Sequence, residues 1–349
     1  MDELLKLLIS DQKNTSKIYK PGSYWLKKSI VAAKELEKNG LNDFRSSTDN
    51  NTSATSFGDN TIVDGRRILD QSSLQIKLGL TILNHTPLKK LFDWQVNTTR
   101  QYLNELLDLE KTHLALFKVD RLTELTQKYK IENSVNFGCD RILFFKEKNY
   151  STYYLNLLNQ LDFVEKNSTL KGCHSFLEIG PGFGANIHLI EQNYPEIRKF
   201  IVVDIVPNVW VVTNYLRSLY GDCVKDYLAT KEMKEIKFKD DMSLEIFVIP
   251  TWEIEKISSL IDCFWNANSF VEMPPHIVSN YAKNLARIRT NKTIYNFISY
   301  DKFDLNTTFH PNLIPEYFLD VEFQKLRHAC LFNETRENYF YLGKLKTKS

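Results

Sequence analysis

Between Phe176 and Asn186 the chain reads Phe-Leu-Glu-Ile-Gly-Pro-Gly-Phe-Gly-Ala-Asn, with Glu178 two residues before Gly180, then Pro181, Gly182 and Gly184. Glycine serves where the backbone must turn tightly and approach a ligand with no Cβ in the way. The apolar run before it, and Ile187, Leu189 and Ile190 at helical spacing after it, predict a strand, a turn and a helix. The amino terminus of such a helix offers N–H groups to polar ligand atoms. Twenty residues after Gly184, the apolar run from Phe200 to Val203 ends in Asp204, with Ile205 beside it. A carboxylate at that strand tip accepts hydrogen bonds from ribose hydroxyls.

The glycines alone do not choose a cofactor, because Gly180-x-Gly182-x-x-Ala185 also satisfies the dinucleotide fingerprint. Glu178 does choose. Its carboxylate would crowd a pyrophosphate but suits a ligand bearing an ammonium group. S-adenosylmethionine has that group, a sulfonium charge and no phosphate. The Glu-x-Gly-x-Gly-x-Gly run resembles the first motif of class I methyltransferases. Further along, Asp204-Ile205-Val206-Pro207, the pair Tyr215-Leu216, and Asn268-Ser269-Phe270-Val271-Glu272-Met273 after Asp262–Trp265 are similar to the sugar O-methyltransferase family. The similarity runs from about Phe176 to Met273 and is weak before it. It implies S-adenosylmethionine as cofactor, S-adenosylhomocysteine as product, and a sugar hydroxyl of a glycan or surface-polysaccharide precursor as acceptor. The implied fold is a doubly wound, mostly parallel, seven-stranded α/β sheet with a carboxyl-terminal antiparallel hairpin.

Methyl transfer to a hydroxyl is an in-line displacement, and a protonated sugar hydroxyl is a poor nucleophile, so a positioned general base is expected. The loop after Trp265 supplies the candidates. Glu272 is the first, the alternative being a first-turn helix carboxylate favoured by the macrodipole. His276 has the more suitable intrinsic pKa but falls outside the matched residues. Asn266 and Asn268 are candidates for the methionine end of the cofactor, with ordinary turn residues as the alternative. Trp252 follows the run Phe247–Pro250 and is a candidate for the adenine, or a core tryptophan. His188 faces either cofactor or solvent, since its neighbours already define a buried side, and His174 reads as structural. No histidines pair at metal-ligand spacing; magnesium shared with substrate hydroxyls is compatible with the sequence but not indicated by it.

Three rival readings use the same residues. Base methylation would place an Asn or Asp, two prolines and an aromatic after the fourth strand; here Met273-Pro274-Pro275-His276 lacks the polar lead and the aromatic. A silent cofactor-binding subunit would keep the glycine turn without turnover. A nicotinamide oxidoreductase would bind NAD(P)H.

These residues need a scaffold. From about Lys171 short apolar runs alternate with helical periods: Ser175–Ile179, Phe200–Asp204, Glu245–Ile249, Ile261–Trp265 and Thr293–Ser299. That alternation predicts parallel β-α units. Arg327–Phe332 and Tyr339–Leu345, joined by the polar run Asn333–Asn338, predict a closing hairpin. The sequence before it is mainly helical in pattern, over Tyr24–Asn39, Leu88–Phe117 and Tyr150–Lys166. A polar stretch, Ser46–Asp64, reads as a long loop or lid. The expected division is a helical region at 1–170, with Arg141, Tyr153 and Tyr154 toward the acceptor, and a methyltransferase domain at 171–349.

Composition narrows the partners. Across 349 residues, 45 Lys plus Arg against 43 Asp plus Glu leave a net charge of +2, which weighs against nucleic acid or another polyanionic acceptor. Five dispersed cysteines suggest neither a disulfide framework nor a zinc ribbon. The acidic start, MDELLKLLISDQ, is unlike a secretory signal, and no run reaches the roughly 18 apolar residues of a membrane span. The expectation is a soluble, cytoplasmic protein.

Overall fold

The computed structural model describes residues 2–41, 44–45, 90, 94, 119–139, 143–300, 307–331 and 333–347. The expected Ser46–Asp64 loop, the Leu88–Phe117 helix (two isolated positions aside) and Arg141 lie outside them.

Helices α1 (Glu3–Asn14) and α2 (Ser23–Asn39) open the chain, followed by α3 (Val119–Lys128) and a small hairpin of β1 (Leu143–Phe145) and β2 (Lys148–Tyr150). Helix α4 (Thr152–Asn167) starts where the Ser151 side chain accepts from the Tyr154 N–H, and buries Leu155, Leu158 and Leu161 at helical spacing. The alternating part then runs β3 (Ser175–Ile179), α5 (Ala185–Asn193), β4 (Lys199–Asp204), α6 (Asn208–Tyr220), β5 (Val224–Lys225) and α7 (Tyr227–Thr230). It continues through β6 (Glu245–Pro250), β7 (Ile261–Ala267), α8 (Pro275–Arg287), β8 (Arg289–Ser299), α9 (Ile314–Tyr317), β9 (Val321–Cys330) and β10 (Asn333–Leu345).

One sheet takes the order β5-β6-β4-β3-β7-β8-β10-β9. Strands β5, β6, β4, β3, β7 and β8 are parallel, and β10 runs antiparallel to both β8 and β9. This is the doubly wound α/β architecture with its closing hairpin; the two-residue edge strand β5 extends the expected seven strands to eight. β3, β4 and β6 are buried along their whole length, which is why each reads as a largely apolar run rather than an alternating one. Phe176, Val202 and Trp265 face one core with residues of α4, α5 and α6. Leu177, Ile179, Val203 and Phe264 face a second core with Tyr281 and Leu285 of α8.

The hairpin departs from the expected bounds. The ladder of β9 and β10 already pairs Cys330 with Asn333, and an irregularity between Asn333 and Glu337 absorbs the extra residues. Polar composition predicts a six-residue turn, but among the described residues the start of β10 pairs only with β9, its β8 partners beginning at Tyr339, so polar residues there extend the ladder as well as a turn.

Leu4, Leu5 and Leu8 of α1 are buried in the same core as Val209 and Val212 of α6. Polar contacts carry the amino-terminal segment along the loops at the carboxyl ends of the strands. Asp2 Oδ1 accepts from Trp210 Nε1 at 3.0 Å, and Asp11 Oδ2 accepts from Tyr227 OH at 2.8 Å and Lys231 Nζ at 2.9 Å. The Tyr19 carbonyl accepts from Thr251 Oγ1 at 2.5 Å, and its hydroxyl donates to Glu255.

Candidate functional site

From β3 the chain first adds β4 and β6 on one side and later β7 and β8 on the other, so the carboxyl end of β3 is the point where strand order reverses. In open α/β sheets that crevice is where ligands bind. The glycine turn sits there. Gly180 still donates to the Val203 carbonyl at 2.9 Å, but its φ is +74°, and Gly182 and Gly184 follow at +63° and +94°. A Cβ on Gly180 would lie 2.3 Å from Ser269 Oγ, so the loop after β7 lies directly on the turn. A Cβ on Gly184 would lie 2.6 Å from Val212 Cγ2, so that glycine serves helix packing. No side chain caps α5.

Two acids flank the turn. Glu178 is 2% exposed, and its Oε2 is buried with no hydrogen-bond partner. Burial above all, with Asp204 adding to it and the neighbouring Asn186 amide opposing, pushes its carboxyl up to about 8. Asp204 accepts from the Ile205 N–H at 2.7 Å through Oδ1 and from Asn208 Nδ2 at 3.3 Å through Oδ2. Burial raises it to about 7 against those two donors and the Gly182 N–H, with the Glu272 charge adding to the rise.

The pH consequence follows from the sign. A carboxyl raised on folding contributes its stability fully below its unfolded pKa and loses it as pH rises through the folded value. For Glu178 that window runs from about 4.5 to about 8. Glu178→Gln is therefore expected to raise the thermal midpoint of the ligand-free protein at pH 8 relative to the parent, with the difference closing by pH 4.5. Paired melts across that range check it; a difference independent of pH would refute it.

The loop after β7 is tied down from within. Asn266 Nδ2 donates to the Ile179 carbonyl at 2.8 Å and to Ser269 Oγ at 2.5 Å, and its Oδ1 accepts from the Phe270 N–H at 3.2 Å. Asn266 is thus engaged in pinning this loop to the end of β3. Asn268 differs: its φ is +65°, and its buried Oδ1 has no hydrogen-bond partner. Glu272 is 9% exposed and accepts from Trp25 Nε1 and from Tyr300 OH, each at 2.8 Å. Burial raises its carboxyl, while Tyr300, Trp25 and Lys28 oppose the rise. His276 lies exposed in the first turn of α8, so of the two candidate bases only Glu272 is buried beside Asp204.

Trp252 lies half-buried in the turn after β6; its Nε1 donates to Tyr227 OH at 3.2 Å, the rings perpendicular at 5.6 Å. Exposed His174 approaches the Glu196 carbonyl at 3.3 Å. His188 corrects the sequence reading. It is 2% exposed, because α5 is packed among α4 and α6 and leaves no solvent side at that position. Its Nδ1 lies 2.8 Å from Tyr154 OH and 2.9 Å from Tyr215 OH. Gln192 Oε1 accepts from the Glu132 N–H, so its Nε2 donates to the Glu132 carbonyl and to His188 Nε2, which puts the His188 proton on Nδ1. Tyr154 is likewise core rather than acceptor-facing, and Tyr153 packs 5.4 Å from Phe183.

Trp25, Tyr300, Tyr19 and Asp11 were not legible as site residues. Trp25 and Glu272 are 247 positions apart, and no local pattern links them. Among the described residues no three His, Cys, Asp or Glu side chains could hold a metal ion, and no helix is long and apolar enough to cross a membrane.

The fold and the turn define an open, doubly wound α/β protein with an acid-flanked glycine turn at its switch point. No family model and no curated protein matches the chain. Among solved structures it is similar to a SAM-dependent methyltransferase from Aquifex aeolicus, at 14% identity and a TM-score of 0.37 over 55% of this chain and 92% of that one. It is similar to an S-adenosylmethionine-dependent methyltransferase from Clostridium acetobutylicum, at 12% identity and a TM-score of 0.36 over 58% and 94%. Mitomycin 7-O-methyltransferase MmcR is similar at 11% identity and a TM-score of 0.38 over 56% and 54%.

Proposed function

We propose that this chain is an S-adenosylmethionine-dependent O-methyltransferase acting on a sugar hydroxyl. The observation that carries the reading is the buried, partnerless Oε2 of Glu178 beside the glycine turn, with Asp204 at the neighbouring strand tip. Two buried carboxyls around such a turn, whose ionisation burial opposes, suit a ligand that brings positive charge, which favours the ionised form, and ribose hydroxyls, and do not suit a pyrophosphate. S-adenosylmethionine fits both demands. When bound, it supplies a methyl group whose carbon–sulfur bond breaks with the electron pair going to sulfur.

The protein's own residues would do the rest. Glu178 receives the ammonium group and Asp204 the ribose hydroxyls, with Gly180, Pro181, Gly182, Gly184 and Ile205 lining the approach. Asn268 offers its partnerless oxygen to the methionine end, and Trp252 stands on the adenine side. Glu272 accepts the acceptor hydroxyl's proton as the new oxygen–carbon bond forms. The sugar assignment is supported by the Asn268–Met273 motif and by near-neutral charge. The contacts of residues 2–25 with the strand-end loops support an amino-terminal region that covers the site, with the cofactor domain from residue 171 onward.

Calorimetry tests the cofactor, and release of S-adenosylhomocysteine over a panel of sugars and nucleotide sugars tests the acceptor. Saturable S-adenosylmethionine binding with turnover on a sugar supports the proposal. Binding without turnover over the whole panel overturns the sugar assignment and favours a silent subunit. NAD(P)H binding in place of S-adenosylmethionine overturns the cofactor assignment.

A further inference from the structure

The cluster around Glu272 is assembled from three distant parts of the chain. Helix α2 begins hard against the loop after β7: a Cβ on Gly22, its amino-terminal cap, would lie 2.6 Å from Pro274 Cδ. The approach is fixed from behind by Tyr19, whose carbonyl accepts from Thr251 and whose hydroxyl donates to Glu255. That entry point delivers Trp25, 8% exposed, to Glu272, with Nε1 donating to Oε2 at 2.8 Å. From the other side, just past the end of β8, Tyr300 donates to Oε1 at 2.8 Å. One buried carboxylate is therefore gripped at both oxygens by neutral donors. An indole N–H cannot accept a proton, and the tyrosine hydroxyl donates here, so the proton of the cluster resides on Glu272 or leaves it.

We infer that Trp25 and Tyr300 are positioning residues for Glu272, holding its carboxylate in one orientation for proton acceptance, so that the amino-terminal helix α2 is a working part of the site. The balance of forces agrees. Burial opposes a charge on Glu272, whose charge in turn adds to the rise of Asp204 at the end of β4. The two donors and Lys28 on α2 favour the Glu272 charge. Hydrogen bonds to an ionised group are about twice as strong as neutral ones, so both grips tighten when the proton is off and loosen when it is on. The kinetic part of this inference rests on the methyl-transfer reading; the structural part does not.

The test uses the full chain labelled with 15N at its five tryptophan indoles, the Trp25 signal being identified by its absence in Trp25→Phe. The Trp25 Nε1–H resonance is expected to move with pH about a midpoint above the ordinary glutamate range. Glu272→Gln should abolish that movement, and Tyr300→Phe, which removes one oxygen, should raise the midpoint by about one unit. In turnover assays both Trp25→Phe and Tyr300→Phe are expected to lower kcat about tenfold and to move its acid limb up by about one pH unit, with KM for S-adenosylmethionine within about threefold. A Trp25 resonance that ignores pH, or that still titrates in Glu272→Gln, overturns the inference. So does a kcat loss with an unmoved acid limb, which marks a merely structural contact. Failure of the parent protein to bind S-adenosylmethionine sinks the methyltransferase reading instead and leaves the resonance arm to decide the Trp25–Glu272–Tyr300 assembly.

Discussion

Gly180→Ala is expected to weaken S-adenosylhomocysteine binding at least 100-fold by calorimetry while the protein still unfolds in one cooperative transition. Two costs combine at this position. A φ of +74° strains any residue with a Cβ by about 1–2 kcal/mol. The new methyl would also lie 2.3 Å from Ser269 Oγ and 2.4 Å from Ser269 Cβ. Ser269 cannot swing aside freely, because its hydroxyl donates to the Ile179 carbonyl at 3.1 Å and stands beside Asn266 Nδ2. Either the turn or the whole loop from Asn266 to Glu272 has to move, and both carry ligand contacts in the proposed site. An internal control separates strain from clash. Gly172 has a φ of +85° with nothing within 4 Å of its would-be Cβ. Gly172→Ala should therefore lose only backbone stability, about 1 kcal/mol, and leave binding unchanged. Equal affinity in the parent and Gly180→Ala would place the ligand elsewhere.

Glu272→Gln is expected to reduce kcat by about 10²–10⁴-fold, the usual worth of a positioned base, with S-adenosylhomocysteine affinity within a few-fold of the parent. The amide keeps the size of the carboxylate and still offers an oxygen to one of its two donors, so the loop stays assembled. What it removes is the capacity to take a proton. In the parent the rate should rise with pH through the ionisation of Glu272, which burial has moved above the usual glutamate range. That rise should vanish in the variant. Single-turnover rates across pH with a competent sugar acceptor are the measurement. A variant retaining the parental rate and pH profile would assign proton removal to another group or to solvent. His276→Gln serves as the comparison, since exposed His276 is expected to leave the profile where it was.

How much was readable beforehand differs between scaffold and site. The cores of all five expected parallel strands are present, because a strand buried on both faces is mostly apolar and therefore marks itself, with Glu178 a polar exception in β3. The two amphipathic helices that fall on described residues also appear, near Tyr24–Asn39 and Tyr150–Lys166. The turn between β9 and β10 is shorter than its composition predicts, since among the described residues the start of β10 pairs only with β9, and polar strand residues there look like loop residues. Within the site, Glu178, the three glycines and Asp204 are found by local rules, each set by its offset from a strand end. His188 was misread for the opposite reason. A helical period describes one buried side, and α5 packs against more than one element.

The sequence by itself determined the doubly wound scaffold, the glycine turn at its switch point and the two acids beside it. Those features depend on residues adjacent in the chain, where backbone conformation and strand burial act over a few positions. Only the tertiary structure decided that Asn266 is spent on holding its own loop, that His188 is a buried neutral histidine, and that Glu272 is gripped by Trp25 and Tyr300. A hydrogen bond between residues 247 positions apart leaves no periodicity and no spacing to read; it exists because packing brings α2 and the loop after β7 to the same edge of the sheet.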